Sequence, residues 1–508
     1  MPLRSAGTGY TTTVLGSGGR WTVVRPGGGG IEARGFGSLE RGFAGLGALP
    51  GGGWTAGFSL IPAPISVELG AFDTSRDLIY QSSGSVTDVS VAFGTGYWGA
   101  VYREKHRYAV YADPDRYTRI QRWDVGTGSW VLEYTGSVLG NVNREDSTRP
   151  TASWPALACN GGGAVTTPPR WVAVYAGADQ QVVIIEAKGS VTSDGPVLGF
   201  REFEIPPSVK RGKISQPVVA VGQTGGVYVA WAEDPDGDGS GRVVIRWLYS
   251  GDPFSWDAAD VEAVDDPGGD CTLPSLAISG TGVVMLVWRF EDDDGARFIH
   301  GIVGSEDPDV VWGLYALTTA SVWELTTSGS DRDPCVWANA AGRFWCAWIN
   351  YDPGGDWAAV QVVTTSNGLD GFAGAAPVYV TEPVLNAFAN FPNGAATDTH
   401  AVLTWEVGRA TGERTDRRIG MAALETTDPD RWSTPDLNVL GFPDGEDVQG
   451  QYPSVSVYDW GAATFVQLFW MRGQSSDTTA DYYEPASLHL IEGTVVQAER
   501  VIHGAPTR

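Results

Sequence analysis

The fold is decided by the stretch Pro274-Ser-Leu-Ala-Ile-Ser-Gly-Thr-Gly-Val-Val-Met-Leu-Val-Trp288. Its first half alternates between apolar and small polar residues, as a half-buried strand does. The turn Gly280-Thr-Gly follows, and then an unbroken apolar run that ends in the tryptophan. Two such runs joined by a short glycine-containing turn predict a β-hairpin.

The same pattern recurs along the chain. In six segments a proline is followed by alternating apolar residues, a turn and a strand with an aromatic residue, and successive prolines are separated by 62, 57, 60, 58 and 61 residues. A seventh unit has Asp88 at the proline position and Tyr102 at the aromatic position. We expect the repeated tryptophans to pack between neighbouring units. The six segments are 155–175, 217–231, 274–288, 334–348, 392–405 and 453–470.

Each hairpin is followed by a third strand, such as residues 241–249, and by a weaker fourth one. About 60 residues in four strands, repeated around a ring, is the pattern of a β-propeller. The 68 glycines and 30 prolines, against four methionines, favour the same architecture of short strands and tight turns. The sequence therefore predicts an all-β fold, a seven-bladed β-propeller over residues 85–508, with six or eight blades as the alternatives.

Residues 1–84 lack the repeat. They hold 17 of the 68 glycines within the first 53 positions, a density at which a packed domain is not expected. We predict a Gly-rich extended N-terminal arm here. Because such an arm is normally disordered when alone, we expect neighbouring protein subunits of a larger assembly to hold it.

Charge and cysteine usage exclude several classes of protein. The chain carries 34 basic and 60 acidic residues, so we expect no nucleic-acid partner on a basic face. No charged-then-apolar leader follows Met1 and the apolar runs are short, so we expect neither an export signal nor membrane insertion. The four cysteines are too few for a disulfide-stabilised scaffold, and their spacing is not that of a zinc site. We expect them to be small core residues.

Three turns between third and fourth strands share a Ser/Thr, an Asp-Pro pair and a tryptophan: 250–256, 305–312 and 426–432. They resemble degenerate Asp-boxes, the Ser/Thr-x-Asp-x-Gly-x-x-Trp turns of sialidase-like propellers. Only the copy with Asp307 has the family's spacing from aspartate to tryptophan, and it has Asp309 in place of glycine. The resemblance covers roughly residues 85–508 and implies a shared architecture.

Sialidases of this family use three arginines, a tyrosine activated by a glutamate, and an aspartate acid/base. The resemblance does not place that set here, because the sequence has no Phe-Arg-Ile-Pro stretch. The most similar stretch, Phe200-Arg-Glu-Phe, is predicted to lie in a third or fourth strand. We assign no catalytic residue from sequence. The arginines expected as solvated loop charges are Arg289, Arg409, Arg414 and Arg472.

In propellers the loops between strands two and three share a face with the loops between blades, and here those loops are acidic. A negative face suits a cation or a basic protein patch and is unfavourable for an anionic sugar, although acidic loops also simply keep a protein soluble. The candidate binding residues on this face are Asp292, Asp293, Asp294, Asp352, Asp356 and Asp444.

One acidic loop resembles the start of a calcium-binding loop. Asp234, Asp236 and Asp238 alternate before a glycine, a spacing that points alternate carboxylates inward. The distal ligand is missing, because Ile245 occupies the twelfth position of the loop. Calcium is the one cofactor that the sequence suggests.

These observations favour a non-enzymatic structural or binding propeller in a large assembly. By analogy we expect a phage-type virion component, a tail, fibre or surface protein, that contacts a neighbouring subunit or a glycan or protein of the host surface. Its location would then be a virion or other extracellular particle. The alternative is a carbohydrate-active enzyme that works on a neutral glycan with carboxylates of the acidic face.

Overall fold

The structure, a computed structural model, divides into two compact units, Met1–Glu68 with Val496–Arg508, and Leu69–Val495. Within the described part of the chain, no helix is long and apolar enough to cross a bilayer. The described residues are 11–13, 20–24, 30–34, 45–48, 54–57, 67–69, 73–81, 89–98, 102–112, 117–124, 129–138, 156–159, 170–177, 180–192, 195–208, 212–222, 226–235, 242–250, 256–258, 261–264, 268–305, 323–324, 331–351, 357–366, 371–372, 375–381, 384–385, 387–411, 414–428, 431–433, 435–439, 448–460, 463–475 and 483–497.

The smaller unit contains short antiparallel strands. β1 (Thr11–Thr13), β2 (Arg20–Val24) and β3 (Gly30–Arg34) form one sheet, and β4 (Gly45–Ala48) pairs with β5 (Trp54–Gly57). β6 covers Val67–Leu69. The two units divide after Glu68, whereas the sequence places the boundary after residue 84. The extended arm and its partners stay predictions.

The larger unit is built from antiparallel sheets whose strands follow one another in chain order. Seven sheets are described, and we number them along the chain. Their strands are, in sheet 1, β8 (Val89–Trp98), β9 (Tyr102–Ala112), β10 (Tyr117–Asp124) and β11 (Ser129–Val138); in sheet 2, β12 (Ala156–Cys159), β13 (Arg170–Ala176), β14 (Val182–Thr192) and β15 (Gly195–Ile205); in sheet 3, β16 (Lys213–Val221), β17 (Val227–Asp234), β18 (Val244–Ser250) and β19 (Glu262–Ala263); in sheet 4, β20 (Gly269–Ile278), β21 (Val283–Asp292), β22 (Arg297–Ser305) and β23 (Trp323–Glu324); in sheet 5, β24 (Asp331–Ala338), β25 (Phe344–Tyr351), β26 (Trp357–Thr365), β27 (Val378–Tyr379) and β28 (Val384–Leu385); in sheet 6, β29 (Ala387–Ala396), β30 (His400–Thr411) and β31 (Arg414–Glu425); and in sheet 7, β32 (Val448–Trp460), β33 (Ala463–Ser475), β34 (Tyr483–Gln497) and, paired with β34, β7 (Asp73–Gln81).

The first strands of these sheets contact one another around a ring. β8, β12, β16, β20, β24, β29 and β32 contact in that order, and β32 contacts β8 again. Sheet 7 takes its outer strand, β7, from the start of the unit, so strands from both of its ends close the ring. The fold is an all-β propeller, which confirms the predicted class. The blade count of seven stays a prediction, since long segments between sheets lie outside the described residues.

The repeated proline lies in a β-bulge opposite the repeated tryptophan. In five sheets the pairing of the first two strands skips two residues on the first strand and one on the second. Two residues facing one is the definition of a bulge, and proline is tolerated there because the ladder does not need its missing N–H. The five bulges are Gln216-Pro217 opposite Trp231, Leu273-Pro274 opposite Trp288, Asp333-Pro334 opposite Trp348, Phe391-Pro392 opposite Trp405, and Tyr452-Pro453 opposite Trp470.

Sheet 1 differs from this pattern. β8 and β9 pair without a register shift, from Val89 opposite Tyr111 to Trp98 opposite Tyr102. Tyr102 is therefore the first residue after the hairpin turn and does not occupy the position of the repeated tryptophans. The sequence-based alignment of Asp88 and Tyr102 with the other units is wrong, because β8 continues to Trp98 before the turn, whereas β20 ends at Ile278, soon after Pro274.

The repeated tryptophans form the packing between sheets, as the sequence predicts. Trp231, Trp288, Trp348, Trp405 and Trp470 are at most 1% exposed. Each described cluster joins one of them to the preceding sheet: Trp288 packs with Ala230 and Ile245 of sheet 3, for example. Truncating such a side chain to alanine costs about 3–5 kcal/mol, so packing accounts for their presence.

The described cysteine side chains are small core residues, as expected. Cys271, Cys335 and Cys346 are free thiols and buried. Burial raises the pKa of the Cys335 thiol to about 11. The Cys335 thiol therefore remains protonated at neutral pH.

A repeated hydrogen bond joins neighbouring inner strands just after the bulges of sheets 4 to 7. The Val336 N–H donates to Ser275 Oγ at 3.0 Å, and the Val455 N–H donates to Asn393 Oδ1 at 2.9 Å. The sulfur of Cys335 accepts the N–H of Gly394 in the same way. In each case the residue after one bulge proline receives the N–H of the second residue after the next bulge proline. These bonds hold adjacent bulges in register.

Ser275→Ala tests this bond. Val336 is 5% exposed, so its N–H would lose its acceptor in a buried place. An unsatisfied buried donor costs about 1–3 kcal/mol, and we expect the free energy of unfolding in urea to fall by that amount. Ser275→Thr, which keeps the hydroxyl and suits a strand, should stay near wild type. Equal stability of the alanine and threonine variants would contradict the role of the bond.

A second network joins sheets 6 and 7 through the hairpin turns. His400 Nδ1 lies 2.7 Å from Thr464 Oγ1 and 2.9 Å from Thr399 Oγ1. Both hydroxyls donate to Asp459 Oδ1. Because each hydroxyl has one proton, the bonds to His400 require the proton on Nδ1. His400 is therefore assigned as the neutral Nδ1–H tautomer, and its Nε2 is buried without a hydrogen-bond partner among the described residues.

This network predicts a pH-dependent stability. Burial lowers the pKa of His400, while Asp459 and Glu425 oppose the shift. The unfolded chain therefore takes up the proton first, and the contribution of His400, complete above its ordinary pKa, is lost as the pH falls towards the lowered value. The stability advantage of wild type over His400→Asn should shrink from pH 7.5 to pH 5 in urea unfolding and stay flat between pH 8 and 7.5. An advantage that grows on acidification would contradict the assignment.

Candidate functional site

Charged and polar side chains of sheets 4 and 5 come together near the bulges, at one end of the inner strands. Some follow the repeated tryptophan on the second strand, and others directly precede a bulge proline. We call this set the rim cluster. Its members are Arg289, Glu291, Arg297, Arg332, Asp333 and Tyr351.

The bulge backbone determines how the cluster is presented. Leu273, Asp333 and Phe391, which precede the bulge prolines of sheets 4, 5 and 6, have φ angles of 54°, 50° and 51°. Non-glycine residues adopt this left-handed region at a cost of about 1–3 kcal/mol, and bulges redirect the side chains that they carry. Of the three equivalent residues only Asp333 is ionisable.

Asp333 is of intermediate exposure. Its carboxyl accepts the N–H of Phe391 from sheet 6. Burial raises its pKa, and the guanidinium of Arg289 is the main opposing influence, followed by the Phe391 bond and Arg332. Desolvation raises the pKa of Asp333 by more than these interactions lower it. Asp333 therefore keeps its proton to a higher pH than an ordinary aspartate.

Arg289, Glu291 and Arg297 form a connected set beside Asp333. The Arg297 guanidinium forms a bidentate pair with the Glu291 carboxylate, in which Nε donates to Oε2 at 2.9 Å and Nη2 donates to Oε1 at 3.3 Å. Arg289 donates from Nε to Thr272 Oγ1 at 3.1 Å and lies 3.8 Å from the same carboxylate. Burial lowers the pKa of Arg289, and Asp333 and Glu291 raise it. Bidentate pairing fixes the direction of Glu291.

The arginines expected in loops lie in strands. Arg289 belongs to β21 and its side chain is 11% exposed, so its interpretation as a solvated loop charge is wrong. Arg409, Arg414 and Arg472 belong to β30, β31 and β33. Arg289 is buried because Thr272, Glu291 and Asp333 compensate its charge inside the sheet contact.

Arg332 and Tyr351 complete the cluster. The Arg332 guanidinium carbon lies 4.6 Å from the centroid of the Tyr351 ring, and its Nε is buried without a hydrogen-bond partner in the described part of the chain. The Tyr351 hydroxyl lies 2.6 Å from Ala389 O and 3.1 Å from Asn390 Oδ1. Burial raises the pKa of Tyr351 far above its usual value, so the hydroxyl keeps its proton and donates it to sheet 6.

Buried carboxylates with arginine partners recur near this end of the second strands. Glu406 follows the tryptophan of sheet 6 and meets Arg417 Nη1 at 3.1 Å. Glu233 lies two residues after the tryptophan of sheet 3, accepts the Ser208 N–H at 2.7 Å, and lies 3.4 Å from Arg246 Nε. Both glutamates are completely buried. Pairing with arginine compensates the desolvation of each carboxylate.

The predicted acidic-face residues are only partly brought together. Asp292 Oδ1 accepts the N–H groups of Asp294 at 3.0 Å and Ala296 at 2.8 Å, so it folds its own turn. Asp293 is exposed and lies 3.8 Å from Arg242. The remaining candidates lie outside the described residues, and a binding role for this face stays a prediction. They are Asp352, Asp356 and Asp444.

The predicted calcium loop is described only at its start. Asp234 ends β17 and is 8% exposed, while Asp236 and Asp238 lie outside the described residues. Where side chains are described, no three His, Cys, Asp or Glu residues are grouped so that they would hold a metal ion. The calcium site stays a prediction.

One of the Asp-box-like turns falls largely within the described residues. Asp428 donates its backbone N–H to Glu425 O at 2.9 Å and closes the turn after β31. Trp432 is partly buried against the core between sheets 5 and 6. Asp252 and Asp307, of the other two copies, lie outside the described residues. The turn with Asp428 thus serves the packing of sheet 6.

Comparisons with known proteins extend only to the fold. No protein-family model and no curated protein matches the sequence. Similar solved structures include a Trypanosoma rangeli sialidase in complex with the inhibitor DANA, 10% identical over 82% of this chain and 59% of that chain, with a TM-score of 0.37. A Penicillium chrysogenum alpha-L-arabinanase complexed with arabinobiose is 11% identical over 86% of this chain and 100% of that chain, with a TM-score of 0.35. The parainfluenza virus 5 hemagglutinin-neuraminidase ectodomain is 8% identical over 85% of each chain, with a TM-score of 0.39.

Sequence reasoning missed the rim cluster as a whole. The signal was present, because charged residues flank the two repeated positions in Arg332-Asp333-Pro334 and Trp288-Arg289. A charge next to the most buried positions of a repeat is unusual, since charges are rarely fully buried unless they are paired. The cluster combines paired guanidinium and carboxylate groups, an acid with a raised pKa and an aromatic ring, which together can hydrogen-bond and stack on a polar ligand.

Tyr351→Phe tests the link from this cluster to sheet 6. It removes the hydroxyl that serves Ala389 O, and we expect the free energy of unfolding in urea to fall by about 1 kcal/mol. Tyr379, 52% exposed on an outer strand, offers the matched control Tyr379→Phe, which should match wild type. A loss of the same size in both variants would contradict the link.

Proposed function

We propose that this propeller is a carbohydrate-active protein that binds a neutral glycan at the rim cluster. The observation that supports it is the internal pairing of the cluster's charges. Arg297 is satisfied by Glu291, and Arg289 is compensated by Glu291 and Asp333. Two of the three arginines are thus paired within the cluster, which presents an uncharged ligand with fixed donors and acceptors beside the Tyr351 and Arg332 surfaces.

Cleavage of that glycan is a second candidate, and the raised pKa of Asp333 is the observation that favours it. A general acid must keep its proton near the working pH, and glycoside hydrolysis uses such an acid beside an ionised carboxylate. We propose that Asp333 donates its proton to the leaving oxygen as the glycosidic C–O bond breaks. Glu291, fixed by Arg297 and partly exposed, takes the proton of the water that forms the new bond.

The experiment uses the full chain with four neutral polysaccharides, arabinan, galactan, xylan and mannan, and with polygalacturonate as the acidic comparison. Isothermal titration calorimetry measures binding, and product chromatography measures cleavage. Binding of at least one neutral polysaccharide, and weaker binding of polygalacturonate, supports the proposal. Binding of polygalacturonate alone, or of nothing, overturns it.

The substitution Asp333→Asn distinguishes cleavage of the glycan from its binding. Loss of the acid should lower product formation by 10²-fold or more, the usual size of general acid catalysis, and leave the affinity within about threefold. The wild-type rate should fall as the pH rises through the raised pKa of Asp333, because the proton is then lost. Glu262→Gln, on the exposed outer strand β19, should match wild type in both measurements. Equal rates in Asp333→Asn and wild type would remove the catalytic assignment.

The role in an assembly is a separate proposal, supported by the glycine-rich composition of residues 1–84. We propose that these residues bind neighbouring subunits of a virion or similar extracellular particle, and that the propeller displays its glycan site to a host surface. Immunogold electron microscopy of the native source tests this directly. Labelled particles support the role, and protein found only free of particles overturns it.

A further inference from the structure

Phe391 occupies a backbone position that does not suit a large side chain. Its φ is 51°, and it directly precedes Pro392 in the bulge of sheet 6. A bulky residue is strained in this left-handed region, whereas glycine adopts it freely. The backbone alone therefore favours glycine, and the phenyl ring needs a reason of its own.

Side chains of sheet 5 fix this strained segment in place. The Asp333 carboxyl accepts the N–H of Phe391, and the Tyr351 hydroxyl binds Ala389 O two residues earlier. On the other side, Asn393 binds the Val455 N–H of sheet 7. Neighbouring sheets thus hold the segment on both sides, and two of the three bonds come from members of the rim cluster.

Phe391 is also only partly buried. Phe391 is of intermediate exposure, unlike Trp405 opposite the bulge, which is 1% exposed. Phe391 is therefore partly accessible to solvent, and its backbone N–H is bound by the Asp333 carboxyl. An aromatic surface held rigidly next to hydrogen-bonding groups loses little freedom when a ligand packs on it.

We propose that Phe391 is a specificity-determining residue of the glycan site, whose ring packs on the carbon face of a bound sugar. This inference rests on the proposed function and narrows its substrate class. The preferred neutral sugar presents one face with C–H groups and no hydroxyl, because a hydroxyl pressed on the ring would lose its hydrogen bonds to water. Asp333 and Tyr351 act on this residue as positioning groups.

The test compares variants at two equivalent bulges of the full chain. Phe391→Gly keeps the left-handed backbone, relieves its strain and removes the ring, so we expect unchanged or higher melting temperature and at least tenfold weaker binding. The probe is whichever of arabinan, galactan, xylan and mannan the wild type binds most tightly in calorimetry. Phe391→Tyr keeps an aromatic ring and should retain the affinity within about threefold.

Leu273→Gly is the matched control, because Leu273 precedes the bulge proline of sheet 4 with a φ of 54°. It should gain the same strain relief and keep the wild-type affinity. Wild-type affinity in Phe391→Gly, or an equal loss in Leu273→Gly, overturns this inference and leaves the proposed function standing. A large fall in the melting temperature of Phe391→Gly also overturns it, since the ring would then be a packing residue. Absence of wild-type binding to all four polysaccharides overturns both proposals.

Discussion

Two residues of an inner strand must fit opposite one tryptophan, and the rest of the propeller depends on this mismatch. In sheet 4, Leu273 and Pro274 together face Trp288, and four further sheets repeat the arrangement. The tryptophan fills the space towards the preceding sheet and is completely buried. The extra residue bends the inner strand at that point, and proline removes an N–H that the ladder would otherwise leave unpaired.

The same mismatch creates the candidate site. In sheets 4, 5 and 6 the residue before the bulge proline lies in left-handed backbone, which redirects Asp333 and Phe391 away from the regular alternation of a strand. Asp333 then bonds to the neighbouring bulge, so each bulge is held by the next. A burial strong enough to raise the pKa of Asp333 is tolerated because Arg289 lies beside it. Architecture and proposed chemistry thus share one set of residues.

The sequence allowed the hairpins, the sheet-to-sheet packing of Trp288 and its counterparts, and the propeller class to be predicted, because alternation and a fixed period report these directly. It did not reveal the bulge, since the alternation of β20 looks unbroken on either side of Pro274. Arg289 was misjudged because a single arginine does not show which carboxylates of other strands will neutralise it. Asp333 was not singled out from the sequence, since left-handed backbone has no signature at a non-glycine residue.

A crystal structure of the full chain at a resolution that shows backbone carbonyl oxygens tests the central claim most directly. The account predicts left-handed backbone at Leu273, Asp333 and Phe391, each before a bulge proline, with the Asp333 carboxyl on the Phe391 N–H. Extended backbone at these residues, with the inner strand paired one to one through Trp288, Trp348 and Trp405, would contradict it.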